Sequence, residues 1–208
     1  MVTTRDASPF DFSPRSTQDA EALNALGFMP GLKELLTLRQ VHALEHATVW
    51  MLMEAAQAGR LIGHAGNTAE GDRLQLGGMS TEDGFYLYGA VGLADVQRAA
   101  GQALRRLQNG EWDLAIHPRC GTNLSVGMAI AVGLALGAHL VMPKDPLGQL
   151  VGFGLAATTA MQVAPDVGTV VQRYVTTAIP FNLAIHDIQR LGDRWGQPTH
   201  FIRVRWVA

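Results

Sequence analysis

The chain has 208 residues, and 16% of them are charged, against roughly 25% in typical soluble domains. Its net charge of -2 provides no basic surface field, so we expect no nucleic-acid partner. The single cysteine cannot form an internal disulfide, which is consistent with a reducing compartment. The low charge content and the 23 glycines favour a membrane-associated protein.

Residues 1–22 are polar, contain proline and serine, and lack the apolar core of a secretory signal. We expect them to form a mobile tail. Residues 23–58 have the apolar spacing of a helical segment, interrupted at Gly27 and at Pro30-Gly31. The main helix of this segment is predicted from about residue 37 to residue 58, where a following glycine favours its end.

Residues 59–119 are predicted to form a small α+β unit. A strand is expected at 61–65, a glycine-rich polar loop at 66–78, and a second strand at 84–89, which is rich in aromatic side chains. Residues 93–107 place apolar side chains on one helical face and arginines off it, which predicts an amphipathic helix. The unit is therefore expected to consist of strand, strand and helix.

Two uncharged apolar runs predict a transmembrane helical hairpin within residues 120–164. The first run, 124–142, is broken only by Ser125 and His139, and the second run covers 147–164. About 20 apolar residues span a bilayer as a helix, and the second run is near the lower limit of length. The alternative is a pair of helices buried in a soluble core.

Arginines concentrate on both sides of this hairpin, whereas the polar break between its two runs carries only Lys144 as a cation. By the positive-inside rule we expect both flanks and both termini to be cytoplasmic. We expect the hairpin to lie in the inner (plasma) membrane of the cell. The arginines before the hairpin are Arg98, Arg105, Arg106 and Arg119, and those after it are Arg173, Arg190, Arg194, Arg203 and Arg205.

Residues 165–208 are predicted to hold two helices, at 167–177 and 181–191, and a strand at 201–207. In the last segment apolar residues alternate with arginines, as in a half-buried strand. We expect this strand to complete the sheet begun by residues 84–89. The predicted fold class is α+β: a small strand-strand-helix unit plus a C-terminal strand, joined to a two-helix membrane hairpin.

The motif His42-Ala-Leu-Glu45-His46 carries the clearest chemical signal. Positions i and i+4 of a helix share a face, so the two imidazoles are a ready pair of ligands for a divalent metal. Glu45 lies close enough to act as a general base on a bound water. The order H-x-x-E-H is that of inverted zinc peptidases.

A second cluster, His117-Pro-Arg-Cys120, offers another imidazole and the thiol. We predict that both side chains are metal ligands, with zinc as the ion, because thiolate and imidazole together favour zinc. The alternative for Cys120 is a small buried hydrophobe. The alternatives for His117 are a hydrogen-bond donor behind the ligands and a proton shuttle. A further alternative is that the histidines and Glu45 form a polar network without metal.

The two motifs together, V-H-A-L-E-H-A at 41–47 and A-I-H-P-R-C-G-T-N at 115–123 before an apolar run, resemble a group of uncharacterised bacterial membrane proteins. The group includes the YqhQ-like family, described as predicted metal-dependent enzymes, and a shorter cyanobacterial-type relative of unknown function. Residues 170–177 are similar to the element that follows the membrane segment in that group. The resemblance covers roughly residues 37–180 and implies a membrane protein with a metal site, without indicating a reaction.

Two functional hypotheses follow. In the first, the protein is a membrane-associated zinc hydrolase with Glu45 as general base, acting on a peptide, an amide or a lipid-derived ester at the interface. In the second, it is a non-enzymatic membrane assembly or scaffold protein with a closed structural metal site. Three protein ligands plus water would favour the enzyme, and four would favour the scaffold. The expected partners are the lipid bilayer and either another membrane protein or further copies of the chain.

Overall fold

The computed structural model describes residues 13–61, 75–194 and 196–207. The fold is mixed α+β, with an antiparallel sheet and two long apolar helices. The helices are α1 (Gln18–Leu26), α2 (Leu32–Gln57), α3 (Leu93–Gln108), α4 (Gly121–Val141) and α5 (Pro146–Val171). A 3-10 turn covers Trp112–Ala115, and a π-helical turn covers Gln172–Thr176. The strands are β1 (Gly77–Thr81), β2 (Gly84–Tyr88), β3 (Leu183–Arg194) and β4 (Gln197–Trp206).

The four strands lie in the order β1-β2-β4-β3, and every neighbouring pair is antiparallel. The predicted C-terminal strand is confirmed, and it pairs with β2 as expected, with Tyr86 opposite Phe201. β1 is left at one edge of the sheet and β3 at the other.

α2 and α3 pack on one face of this sheet and enclose the core. Leu44 and Leu52 of α2 meet Phe85 of β2, Ile202 of β4 and Leu107 of α3, and all five side chains are fully buried. Each contributes about 1.5–3 kcal/mol through burial of apolar surface. The amphipathic helix predicted at 93–107 is confirmed as α3. This packing fixes the rotation of α2, and therefore the direction of its histidine-bearing face.

α4 and α5 lie side by side outside this core. Gly127 of α4 lies opposite Ala164, while Gly152 of α5 lies against Ala138 and Met142, so the helices run antiparallel. No residue of α4 is buried, and α5 buries only four small residues: Gly152, Ala156, Ala160 and Gly168. The alternative of a helix pair buried in a soluble core therefore does not describe this structure. By length and composition, both helices could cross a membrane.

The prediction of a helix at 181–191 is wrong, because most of this segment belongs to strand β3. β3 pairs with β4 from Leu183, opposite Trp206, to Arg194, opposite Gln197. That pairing satisfies most backbone groups of the segment, with interruptions at Ile185/Asp187 and Arg190/Gly192, and the local sequence does not reveal it. The helix predicted at 167–177 is in fact the end of α5 and the π-helical turn, since α5 continues through Pro165.

Three further predictions meet the structure only in part. β1 begins at Gly77, inside the loop expected at 66–78, because it pairs with β2. Residues 18–22 belong to α1 rather than to the tail expected at 1–22; Thr17 donates to Glu21 at the helix start, at 2.7 Å. Residues 1–12 of that tail lie outside the described residues. Of the strand expected at 61–65, only residue 61 is described.

Candidate metal centre

The two histidines of the first motif lie on one face of α2. The ring centroids of His42 and His46 are 4.3 Å apart. His46 is buried and His42 is half-buried, so the pair sits at the boundary of the core. The i, i+4 spacing thus produces the arrangement that the sequence predicted.

Cys120 joins these histidines from a distant part of the chain. It caps the N-terminus of α4, and its Sγ lies 3.3 Å from Nε2 of His42. The turn that presents it is held by the backbone N–H of Cys120, which donates to the carbonyl of His117 at 3.2 Å. The candidate ligand atoms of His42, His46 and Cys120 all lie within 4.8 Å of one another.

Each histidine of the group is oriented by a backbone carbonyl. Nδ1 of His46 lies 2.7 Å from the carbonyl oxygen of Ala115, and Nδ1 of His42 lies 3.0 Å from that of Thr176. A carbonyl only accepts hydrogen bonds, so each Nδ1 carries the proton and donates it. This leaves Nε2 as the nitrogen of each ring that would bind a metal, after losing any proton that it donates to Cys120 in the metal-free protein.

His117 stands beside the group but is not part of it. Its ring centroid is 5.7 Å from that of His46 and 5.0 Å from that of Trp50. Its Nδ1 accepts a hydrogen bond from the backbone N–H of Arg119 at 3.3 Å. Burial lowers the pKa of His117 to about 4, with smaller contributions from His46 and Arg119, so the ring is neutral. The structure therefore brings together three of the four predicted ligands.

Glu45 is buried between α2 and β1. Its Oε2 accepts a hydrogen bond from the hydroxyl of Ser80 at 2.5 Å. Gly78 leaves room for the carboxylate, since a Cβ at that position would overlap Oε1 of Glu45. Burial raises the pKa of Glu45, and the hydrogen bond from Ser80 and the nearby histidines only partly oppose it.

The surroundings of Cys120 favour the thiolate form of its side chain. Burial alone would raise its pKa, but hydrogen bonds from His42, His46 and Thr122 outweigh burial and lower it to about 5. For His42 burial acts in the opposite direction and lowers the pKa, but the hydrogen bond and charge of Cys120, the carbonyl of Thr176 and the charge of Glu45 together outweigh burial, so the pKa of His42 is raised. A deprotonated thiol is the form that binds metal.

The turn containing Cys120 is attached to the end of α5 by Gln172, which is fully buried. The Oε1 atom of Gln172 accepts from the backbone N–H of His117 at 3.0 Å, and its Nε2 donates to Asn123 at 2.6 Å. Asn123 in turn donates to the carbonyl of Pro118 at 2.9 Å. These contacts fix the position of Cys120 relative to both apolar helices.

The sequence did not identify Gln172, Ser80 or Gly78 as parts of the site. Gln172 lies in the segment 170–177 that supports the family resemblance, so the resemblance could have indicated its importance. No sequence pattern indicated a role for Ser80 or Gly78, because the strand that contains them was not predicted.

The group faces a cavity of about 550 Å³. His42, Glu45, His46 and Cys120 line it on one side, and β1 lines it on another. A molecule in this cavity would therefore reach the candidate ligands and the Glu45 carboxylate together.

Residues 37–188 match the model of the family described as Domain of unknown function (DUF6391). The chain is also 51% identical, over 195 residues, to an uncharacterised protein of Picosynechococcus sp., with 94% of this chain and 92% of that protein covered. The chain belongs to this uncharacterised family, and the matched region contains both motifs and both apolar helices. No solved structure matches it.

Proposed function

We propose that this protein is a membrane-associated, zinc-dependent hydrolase in which His42, His46 and Cys120 hold the metal and Glu45 is the general base. The observation that carries the proposal is the convergence of the three candidate ligand atoms within 4.8 Å. Both imidazoles are also oriented through Nδ1, so that Nε2 is available to a metal.

The number of ligands favours a catalytic site over a structural one. Structural zinc sites are usually closed by four protein ligands, whereas catalytic sites have three and keep a position for water or substrate. Among the described residues, the group contains three candidate ligands, and His117 lies outside it. The cavity beside the group would give water and substrate access to a metal held there.

The donor set favours zinc. Thiolate and imidazole are ligands that zinc prefers, whereas magnesium and calcium prefer oxygen. Zinc bound at such a site lowers the pKa of a coordinated water to about 7 and so supplies a nucleophile at neutral pH.

Glu45 would accept the proton that this water releases and pass it to the leaving group. Its carboxylate lines the same cavity as the candidate ligands. The hydroxyl of Ser80 holds Oε2, and Gly78 lets the carboxylate approach the strand. The chemistry that fits is hydrolysis of an amide or an ester.

The membrane part of the proposal rests on the surfaces of α4 and α5. Large apolar side chains point outward along both helices, including Leu124, Leu140, Leu150 and Met161, which are each at least 68% exposed. A bilayer is the environment that would cover them. Because Cys120 is the N-cap of α4, the metal centre would lie at the membrane boundary, on the arginine-rich and therefore cytoplasmic side.

Cobalt substitution tests the site directly. Purified full-length protein is stripped of metal, loaded with Co²⁺ and titrated with acetohydroxamate, a small chelator that requires an open coordination position. We expect a thiolate-to-cobalt absorption band that disappears in Cys120→Ser, and a change in the visible spectrum when acetohydroxamate is added. A cobalt spectrum that acetohydroxamate does not alter would indicate a closed site, and the scaffold alternative would replace the hydrolase.

A further inference from the structure

The edge of the sheet lies beside the candidate metal centre. β1 is an outer strand, and within the described residues it pairs only with β2. Gly78 and Ser80 of β1 approach Glu45 and line the same cavity as His42 and Cys120. The outer side of such a strand presents backbone N–H and C=O groups in the pattern of a sheet.

A groove continues from the candidate metal centre past the end of β1 and over the sheet. A second cavity, of about 680 Å³, shares Leu35, Leu38 and Ser80 with the first. It extends past Thr81 and the β1–β2 turn, across β2 and β4, as far as Gln189 and Leu191 of β3. One wall of the combined groove is the N-terminal part of α2. The other wall is β1 beside the candidate metal centre and, further along, the neighbouring strands of the sheet.

The groove combines two kinds of surface. Leu35 and Met79 are 54% and 45% exposed, and with Leu38 they offer apolar contacts. The edge of β1 offers hydrogen bonds at regular backbone spacing. An extended peptide satisfies both, because its backbone pairs with the strand while alternate side chains fill the apolar positions. An acyl chain would use only the apolar walls.

We propose that the substrate is an extended peptide that adds to β1 as a further strand. This proposal rests on the proposed hydrolase function. The bond placed at the metal centre would then be a peptide bond. In its hydrolysis the C–N bond breaks, the hydroxyl of water joins the carbonyl carbon, and a proton joins the nitrogen. No oxidant, reductant or second substrate is needed.

The charges at the far end of the groove refine this assignment. Glu34, Glu82 and Asp83 line the second cavity there and form no ion pair within the described part of the chain. Arg203 lies over the ring of Phe201, at 5.5 Å. A peptide with a basic side chain remote from the cleaved bond complements these carboxylates.

The test compares ligands that share one chelating group. Full-length, zinc-loaded protein in detergent is titrated with a trileucine hydroxamate, with the same peptide carrying N-methylated amides, and with octanohydroxamic acid. The peptide is made with the chelator at either end, so that both chain directions are sampled. Because the chelator is constant, differences in affinity report only on the groove.

We expect the trileucine hydroxamate to bind about tenfold more tightly than octanohydroxamic acid, and N-methylation to weaken it about three- to tenfold. Amide hydrogen exchange in Gly77–Thr81 should slow when the peptide binds. An added lysine at the end remote from the chelator should bind about two- to fivefold more tightly than an added glutamate.

The outcomes separate this inference from the function on which it rests. Equal binding of the peptide and octanoyl chelators, or no effect of N-methylation, would overturn the peptide assignment while the metal site stands. Tighter binding of the octanoyl chelator would assign the groove to a lipid. If no hydroxamate binds the zinc-loaded protein, the hydrolase proposal fails, and the peptide assignment fails with it.

A pair of matched variants tests the groove independently. Leu38→Arg places a long charged side chain where the two cavities meet, whereas Leu26→Arg changes a leucine of similar exposure that lines neither. We expect Leu38→Arg to weaken binding of the trileucine hydroxamate and Leu26→Arg to leave it unchanged. Unchanged trileucine binding in Leu38→Arg would count against the groove as its binding site.

Discussion

Nε2 of His42 lies 3.3 Å from Sγ of Cys120, although 78 positions separate the two residues in the sequence. The first residue belongs to a core helix, and the second begins an apolar helix outside the core. The contact therefore joins the globular part of the protein to the helix pair that we assign to the membrane. Disrupting either partner should affect both the metal site and this junction.

The metal content of the purified protein should distinguish the ligands from their neighbour. We expect about one zinc ion per chain, with most of it lost in His42→Ala, His46→Ala and Cys120→Ala, because each removes one of three donors. His117→Ala is the matched control and should retain zinc, since His117 lies outside the group. Elemental analysis by mass spectrometry measures this. Full zinc retention in both His42→Ala and His46→Ala would remove these histidines from the site.

Replacing Glu45 by glutamine should separate chemistry from structure. The amide is nearly isosteric with the carboxylate and still accepts the hydrogen bond from Ser80, so zinc content and melting temperature should be preserved. Basicity is lost, so hydrolysis of any substrate that is found should fall by about 10²–10⁴-fold. Lower zinc content together with a lower melting temperature would instead point to a structural role for Glu45.

Gly78 should tolerate no side chain. A methyl group there would overlap the carboxylate of Glu45, so Gly78→Ala should lower the free energy of unfolding by about 1–3 kcal/mol and displace the general base. Gly77→Ala is the control, because its Cβ would meet only Tyr88, at an ordinary 3.8 Å. Its effect should stay within about 0.5 kcal/mol. Denaturant unfolding in detergent measures both, and equal effects would contradict the steric argument.

The membrane orientation predicts which side of the bilayer the α4–α5 connection faces. In a Cys120→Ser background, Lys144→Cys should react with an impermeant maleimide in intact cells, because the proposed orientation places the connection on the outer side. Glu82→Cys, in the exposed β1–β2 turn, should react only after permeabilisation. The protein should also remain in the membrane during carbonate extraction. Release by carbonate or high salt would refute the membrane assignment.

The metal-free protein should hold Cys120 as a thiolate at neutral pH. Its pKa of about 5 lies well below the ordinary value of 9.0, because hydrogen bonds from His42, His46 and Thr122 favour the charged form and outweigh burial. Thiolate ultraviolet absorbance should therefore be present at pH 7 and disappear as the pH falls through about 5. Subtracting the spectrum of Cys120→Ser isolates the signal, since the chain has one cysteine. A midpoint near 9 would contradict the observed contacts.

Patterns confined to one element were predictable from the sequence. The helix carrying His42, Glu45 and His46, the amphipathic α3, the strand β2, the C-terminal strand and the two apolar helices all follow from local periodicity and composition. Periodicity reports which face of an element is apolar, and that depends only on residues near one another in the chain. The face shared by His42 and His46 follows for the same reason.

Only the tertiary structure decided how these elements meet. β3 is a strand because it pairs with β4, and β1 because it pairs with β2; neither segment has a local pattern strong enough to impose that state. The separation of His117 from His42 and His46, and the approach of Cys120 to them, depend on the turn that Gln172 anchors from the end of α5. The carbonyls of Ala115 and Thr176 orient the two histidines. The sequence could not predict this, because every residue has a carbonyl and only the fold determines where it points.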